Sequence, residues 1–216
     1  MHADFWLNKW EQGQTGFHQE RVHPALTAFA ARFLGDGPHR VLVPLAGKTW
    51  DLEHLAKAGH STVAVELSAV AAAAFHTDHG RDVAPAQEGP YSVYRSENLE
   101  YRVGDVFDLD PSDPVDRIWD RAALVALNPE QRVRYAALLT ACTRPGARML
   151  LSVFDYPQDE MPGPPHSVPN AEVDALYGQG WRIELLKEEQ LIDQLEKFRA
   201  RGVTSLVQSM LLLTRR

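Results

Sequence analysis

The sequence holds one cysteine among its 216 residues, Cys142. Without a second thiol no intramolecular disulfide can form, which excludes the cross-linked framework of small secreted domains and fits a reducing, cytoplasmic compartment. Basic residues are also in deficit: 22 Lys and Arg face 29 Asp and Glu, a formal charge of -7. A nucleic-acid partner needs a clustered cationic surface, so none is expected, and the nine histidines are scattered and build no basic stripe. Long apolar runs are missing too. Residues 210–213 fall far short of the roughly 20 residues that span a bilayer, so no membrane span is expected. Residues 1–10 mix Asp4, Asn8 and Lys9 with aromatics and do not read as a signal peptide. There is no internal repeat, and the alanine-rich residues 69–74 read as ordinary helix. What is present is a 44% hydrophobic content, enough for one sizeable core, and a single domain over 1–216 is expected.

Punctuation divides the chain into alternating elements. Residues 40–45 form an apolar strand entered after Gly35-Asp36-Gly37-Pro38, followed by a helix to Ala58 capped by Thr49 or Asp51. Residues 61–66 are the next strand, and Ser68 caps a second helix reaching about His79. Strand–helix alternation of this kind implies parallel strands with right-handed crossovers and helices covering the sheet. Residues 80–98, with Pro85, Gly89 and Pro90, read as an irregular excursion before strands at 99–103 and 116–120. Asn128-Pro129-Glu130-Gln131 reads as a capping box opening a helix to about Cys142. A turn at 143–147 then leads to a strand at 148–154. The five prolines within residues 157–169 exclude regular structure and suggest a functional loop or lid. Helix, strand, helix and strand follow at 170–177, 181–187, 188–199 and 206–213, the last two strands forming an antiparallel edge.

In such a sheet a ligand binds beyond the carboxyl ends of the strands. There Gly47, in Pro44-Leu45-Ala46-Gly47-Lys48, lets the backbone approach a ligand, although the three-glycine dinucleotide fingerprint is missing. Glu66 stands about 20 residues further on, where a carboxylate can accept both ribose hydroxyls of an adenosine cofactor. Asp105, in Gly104-Asp105-Val106-Phe107, is placed to read an adenine, with a capping or turn role as its alternative. These features suit NAD or S-adenosylmethionine alike. The aromatic start, Phe5, Trp6, Trp10 and Phe17, could face a sulfonium or a flat purine, or simply staple the N-terminus to the core. Arg121 ends the fourth strand, where its planar fork of donors can hold an anionic or purine-like acceptor; the alternative is a salt bridge to Asp120 or a neighbouring carboxylate.

Several motifs together resemble the thiopurine S-methyltransferase family. They are Phe5-Trp6 with Lys9-Trp10, Thr15-Gly16-Phe17-His18, the run Val43 to Lys48, Gly59-His60 leading into Val65-Glu66-Leu67-Ser68, residues 119–127, and Pro162-Gly163-Pro164-Pro165. The resemblance covers nearly the whole chain and implies an α/β, Rossmann-like, seven-stranded and mostly parallel sheet with helices on both faces and an antiparallel edge strand. It implies S-adenosylmethionine as donor, no metal, and a monomeric S-methyltransferase acting on small thiols of thiopurine type. Residues 1–39 would form an aromatic and helical cover. Trp6, Trp10, Leu45, Gly47, Glu66, Leu67, Asp105, Val106 and Arg121 would line the cofactor, with Phe17, Arg121 and Lys197 at the acceptor. Two positions depart from the family pattern: Ala46 replaces a usual cysteine, and Lys197 stands where an arginine often approaches the acceptor, a point charge in place of a planar fork. Rival functions are methylation of halide, sulfide, selenium or tellurium species, and non-catalytic sensing of S-adenosylmethionine.

Overall fold

The chain was described with a computed structural model covering residues 3–216. Residues 1 and 2, the start of the expected 1–39 cover, lie outside the described residues. Backbone contacts divide the chain into two units, one ending at Trp119 and the other spanning Asp120–Arg216.

The first unit opens with three helices, α1 (Ala3–Glu11), α2 (Pro24–Ala28) and α3 (Ala30–Phe33). Strand β1 (Arg40–Pro44) follows, with Val41 to Pro44 all buried, as a parallel strand covered on both faces requires. Helix α4 (Asp51–Lys57) leads to β2 (Ser61–Glu66), which runs parallel to β1 with Arg40 opposite Ser61 and Pro44 opposite Val65. Helix α5 (Ala69–Asp78) starts where expected, with the Ser68 hydroxyl accepting the Ala71 amide at 3.2 Å. Of the two caps expected, Thr49 takes part, its hydroxyl accepting the amide of Asp51, the first residue of α4, at 3.3 Å, whereas the Asp51 carboxylate turns inward to accept the His23 amide and the Trp119 indole N–H.

Residues 80–98 are not an irregular excursion. They hold β3 (Ala86–Glu88) and β4 (Tyr91–Ser96), an antiparallel hairpin continued by β5 (Leu99–Val103), which is parallel to β2. Gly89 and Pro90 are the turn of that hairpin, and Tyr91 and Val93 point inward with the alternation of a half-buried strand. Strand β6 (Val115–Arg121) pairs with β1 in parallel, so the order within this unit is β3-β4-β5-β2-β1-β6.

In the second unit, Leu124–Ala126 makes a 3-10 turn and α6 (Pro129–Ala141) follows. The capping box is formed as expected, with Asn128 accepting the Gln131 amide and Gln131 accepting the Asn128 amide. Strand β7 (Thr143–Asp155) starts earlier than expected, and the turn expected at 143–147 is its entry, with Arg144 to Gly146 exposed and Gly146 at φ 89°. Helix α7 (Asn170–Tyr177) precedes β8 (Trp181–Gln190). The helix expected over 188–199 shrinks to α8 (Glu196–Arg199), because Glu188 to Gln190 pair with β9 (Val207–Arg215) beyond a register shift at Leu185/Lys187. Residues with good helix propensity are here overridden by strand pairing. The order β7-β9-β8 is antiparallel throughout, so β9 is flanked on both sides, and β8 shows the mostly polar pattern of an edge strand. The described residues hold nine strands where seven were expected. No helix among them is long and apolar enough to cross a membrane.

Candidate functional site

The carboxyl ends of β1, β2 and β5 lie side by side in the first unit, and the loops leaving them are tied to one another. Chain direction reverses sharply after β1. Leu45 has φ 48° and Gly47 φ 53°. A β-carbon disfavours this left-handed region by about 1–2 kcal/mol, so Leu45 holds a strained backbone that its surroundings must enforce. The enforcement is visible. The Glu66 carboxylate accepts the Gly47 amide at 2.8 Å and the Ser68 amide at 2.9 Å, one on each oxygen. The Tyr101 hydroxyl donates to the Gly47 carbonyl at 2.5 Å, and the Ala46 amide donates to the Val65 carbonyl at 3.0 Å.

Glu66 is only 6% exposed. Burial pushes its carboxyl above the usual range, against the pull of the Ser68, Gly47 and Leu67 amides. Tyr101, fully buried beneath the same loop, has its hydroxyl raised well above its usual value by burial and by Glu66. Three amides act on a carboxylate with about four acceptor sites, so some acceptor capacity remains. A carboxylate fixed in this way presents two parallel acceptors at a strand end without reorganising, which suits a vicinal diol. At the third strand end, the Gly104 amide donates to the Glu66 carbonyl at 2.9 Å, which brings Asp105 and Val106 alongside. Val106 is buried. Asp105 takes the capping role raised as its alternative: it is exposed and accepts the Phe107 amide at 3.0 Å.

An aromatic wall stands on the same loop. An added β-carbon at Gly47 would meet the Trp10 ring at 3.0 Å, so glycine is needed there for space as well as for φ. Trp10 is buried and meets Phe17 edge-on at 5.6 Å between ring centroids; Phe17 in turn meets Trp6 at 5.5 Å. Trp6 and Phe17 are half-buried and keep surface available, whereas Trp10 belongs to the core. Trp10 thus takes the stapling role, while Trp6 and Phe17 keep ring surface outside the core.

The first unit thus brings together Trp6, Trp10, Phe17, Leu45, Gly47, Glu66, Leu67, Asp105 and Val106. Arg121 and Lys197 belong to the second unit. Arg121 is half-buried at the end of β6 and precedes Ala122, whose φ is 69°. The two non-glycine residues with positive φ among those described, Leu45 and Ala122, each follow a parallel strand closely, and local strain of this kind gathers at functional sites. Lys197, on α8, has its ammonium pKa lowered by burial and by the positive charge of Arg121. The two cations therefore share one electrostatic neighbourhood. Asp120 offers its carboxylate to the Leu124 amide and the Tyr135 hydroxyl.

Tyr101 and Tyr135 were not anticipated as supports of the site. A tyrosine in the middle of a strand or helix reads as core, and only the fold shows which carbonyl or carboxylate its hydroxyl reaches.

Residues 1–216 match the family described as Thiopurine S-methyltransferase (TPMT). A thiopurine S-methyltransferase of Xanthomonas campestris pv. campestris (strain 8004) is 43% identical over 210 residues, 95% of this chain and 95% of its own length. One of Pseudomonas entomophila (strain L48) is 42% identical over 218 residues, with 100% of both chains covered. Among solved structures, the 1,6-didemethyltoxoflavin-N1-methyltransferase of Burkholderia thailandensis, with bound 1,6-didemethyltoxoflavin and S-adenosylhomocysteine, is similar at a TM-score of 0.66 over 99% of this chain and 87% of its own. At 19% identity that likeness concerns the fold alone.

Proposed function

The chain belongs to the thiopurine S-methyltransferase family of S-adenosylmethionine-dependent methyltransferases, and from that premise we propose that it methylates small aromatic or heterocyclic thiols. The observation that carries the cofactor side of this proposal is the buried Glu66 carboxylate, clamped by the Gly47 and Ser68 amides at a parallel-strand end. Glu66 would grip the ribose hydroxyls. The backbone around Leu45, Gly47 and Leu67 would flank the nucleoside, Asp105 and Val106 would border the adenine, and Trp6 would supply an aromatic face, with the buried Trp10 lining the site from behind Gly47.

When bound, S-adenosylmethionine supplies an electrophilic methyl carbon on a sulfonium. The acceptor side rests on Arg121, which would also border the cofactor, and on Lys197. The pKa of Lys197 is lowered first by burial and then by the charge of Arg121, and the two cations make this a region of positive potential. A thiol held there has its own pKa lowered and is presented as the thiolate, so no general base is needed. Arg121 would orient the anion through its planar fork, Lys197 would add a point charge, and Phe17 would cover the ring. We place the enzyme in the cytoplasm as a monomer, consistent with its single, buried cysteine.

Calorimetry tests the cofactor assignment. S-adenosylhomocysteine should bind with a Kd on the order of micromolar, and Glu66→Ala should weaken it by about tenfold or more through lost ribose hydrogen bonds. Binding of NADH in its place would point to an oxidoreductase, and unchanged affinity in the variant would remove Glu66 from the site. Offering a thiopurine, small thiols, iodide and selenite side by side tests the acceptor. Transfer only to the inorganic ions rejects the thiol assignment, and binding without turnover on any acceptor favours a sensor.

A further inference from the structure

Asp120 is wholly buried, at 0% exposure. Its Oδ1 accepts the Leu124 amide at 3.1 Å, its Oδ2 accepts the Tyr135 hydroxyl at 2.8 Å, and the Ala123 amide also donates to it. Two of these donors belong to the backbone just beyond Arg121, and the third reaches across from α6. Between Arg121 and that backbone lies Ala122, in the left-handed region at φ 69°. Side chains alternate along a strand, so Asp120 and Arg121 leave β6 on opposite faces. The carboxylate is therefore placed to steer the guanidinium through the backbone from which it projects.

We propose that Asp120, clamped by Tyr135, is a positioning residue for Arg121: it locks the backbone at residues 120–124 and so fixes the direction in which the guanidinium meets the methyl acceptor. The proposal rests on the assignment of Arg121 to the acceptor. A position serving the core alone would be better filled by an apolar side chain, because burial pushes the Asp120 carboxyl to about 6 and its charge is held at the expense of stability. The Tyr135 and Tyr177 hydroxyls, both raised by burial and by Asp120, are the titratable groups around it.

Asp120→Ala would leave three donors facing an empty site and risks the fold, so Tyr135→Phe is the working variant. It removes one of the clamps and keeps the ring. In the full-length protein we expect Tyr135→Phe to lower kcat/KM for a thiopurine acceptor by about tenfold. It should also weaken thiopurine binding, measured calorimetrically with S-adenosylhomocysteine present, by a larger factor than it weakens S-adenosylhomocysteine binding itself. The deciding measurement is a double-mutant cycle. If Tyr135 and Asp120 act through Arg121, Tyr135→Phe adds nothing in an Arg121→Ala background. Losses that multiply, or a Tyr135→Phe enzyme indistinguishable from wild type, overturn the proposal while leaving Arg121 at the acceptor. An Arg121→Ala enzyme with full activity overturns it from beneath, and that failure is recognisable because the single Arg121 variant alone reveals it.

Discussion

At the scale of single residues, the ionisable groups that matter here are the ones kept from water. The Asp120 carboxyl rises from the usual 3.8 to about 6, chiefly through burial and in spite of its three donors. Its folded pKa therefore lies above its unfolded one, and between those values the folded state holds the extra proton. The contribution of this group to stability is fully present below about pH 4 and is lost as the pH rises to about 6, by up to about 1.4 kcal/mol per pH unit. Asp120→Asn abolishes that titration. The stability of the variant relative to wild type, measured by urea denaturation from about pH 4 to about pH 7, should climb with pH and then level off. A difference that stays flat across the range would show that the carboxyl titrates like an exposed aspartate, and that its burial carries no electrostatic penalty. The identity of this group was legible in the sequence only as a neighbour of Arg121; its partner Tyr135 is fifteen positions away, and nothing local announces the pairing.

At the scale of elements, the loop joining β1 to α4 illustrates what a sequence discloses and what it withholds. The glycine and the acidic residue after it could be read from spacing, because a turn needing φ 53° and a carboxylate at the next strand end are local demands. The clamp between them could not, since it depends on β1 and β2 lying in register so that Gly47 meets Glu66. The same distinction explains the misread elements. Helices with local caps, at Ser68 and Asn128, begin where expected, because the signal and its partner are three residues apart. The β3–β4 hairpin and the tail of β8 were missed, because pairing with a distant strand overrode turn residues in one case and helix propensity in the other. The clamp makes Gly47→Ala informative. The new β-carbon is strained at φ 53° and presses on the Trp10 ring at 3.0 Å, so either the ring gives by a few tenths of an ångström or the loop shifts from its place on Glu66. A loss of about 1–2 kcal/mol in stability is expected, together with at least about tenfold weaker binding of S-adenosylhomocysteine. If stability falls as expected and cofactor affinity does not, the loop is a structural turn and the ligand binds elsewhere.

At the scale of the whole molecule, the question is how local stability is distributed, and the proline-rich residues 157–169 are the instructive case. They contain no helix or strand, and from the sequence they look like a lid. The structure pins them along their length. The Tyr156 hydroxyl donates to the Pro165 carbonyl at 2.6 Å, and Gln158 donates to the Met161 carbonyl at 2.6 Å while accepting the Ser167 amide at 2.9 Å. The Val168 amide reaches the Phe154 carbonyl and the His166 amide reaches that of Val125, both at 2.7 Å, and Glu160 accepts both the amide and the hydroxyl of Thr204. Met161 and Val168 are fully buried, with Met161 packed against Tyr156, Phe198 and Leu206. A segment that opens on its own has few buried contacts and hydrogen bonds open to solvent, and this one has the opposite character. The amides of His166, Ser167 and Val168 should therefore exchange with solvent only in openings close to global unfolding, at rates set by the same free energy as the core strand β9. Saturating S-adenosylhomocysteine should slow both groups by the same factor, since a ligand bound only to the folded state raises the global term alone, by about 2.7 kcal/mol at a hundredfold excess over Kd. Faster exchange in the segment than in β9, with protection by ligand confined to the segment, would instead make it a gate whose closure the cofactor drives.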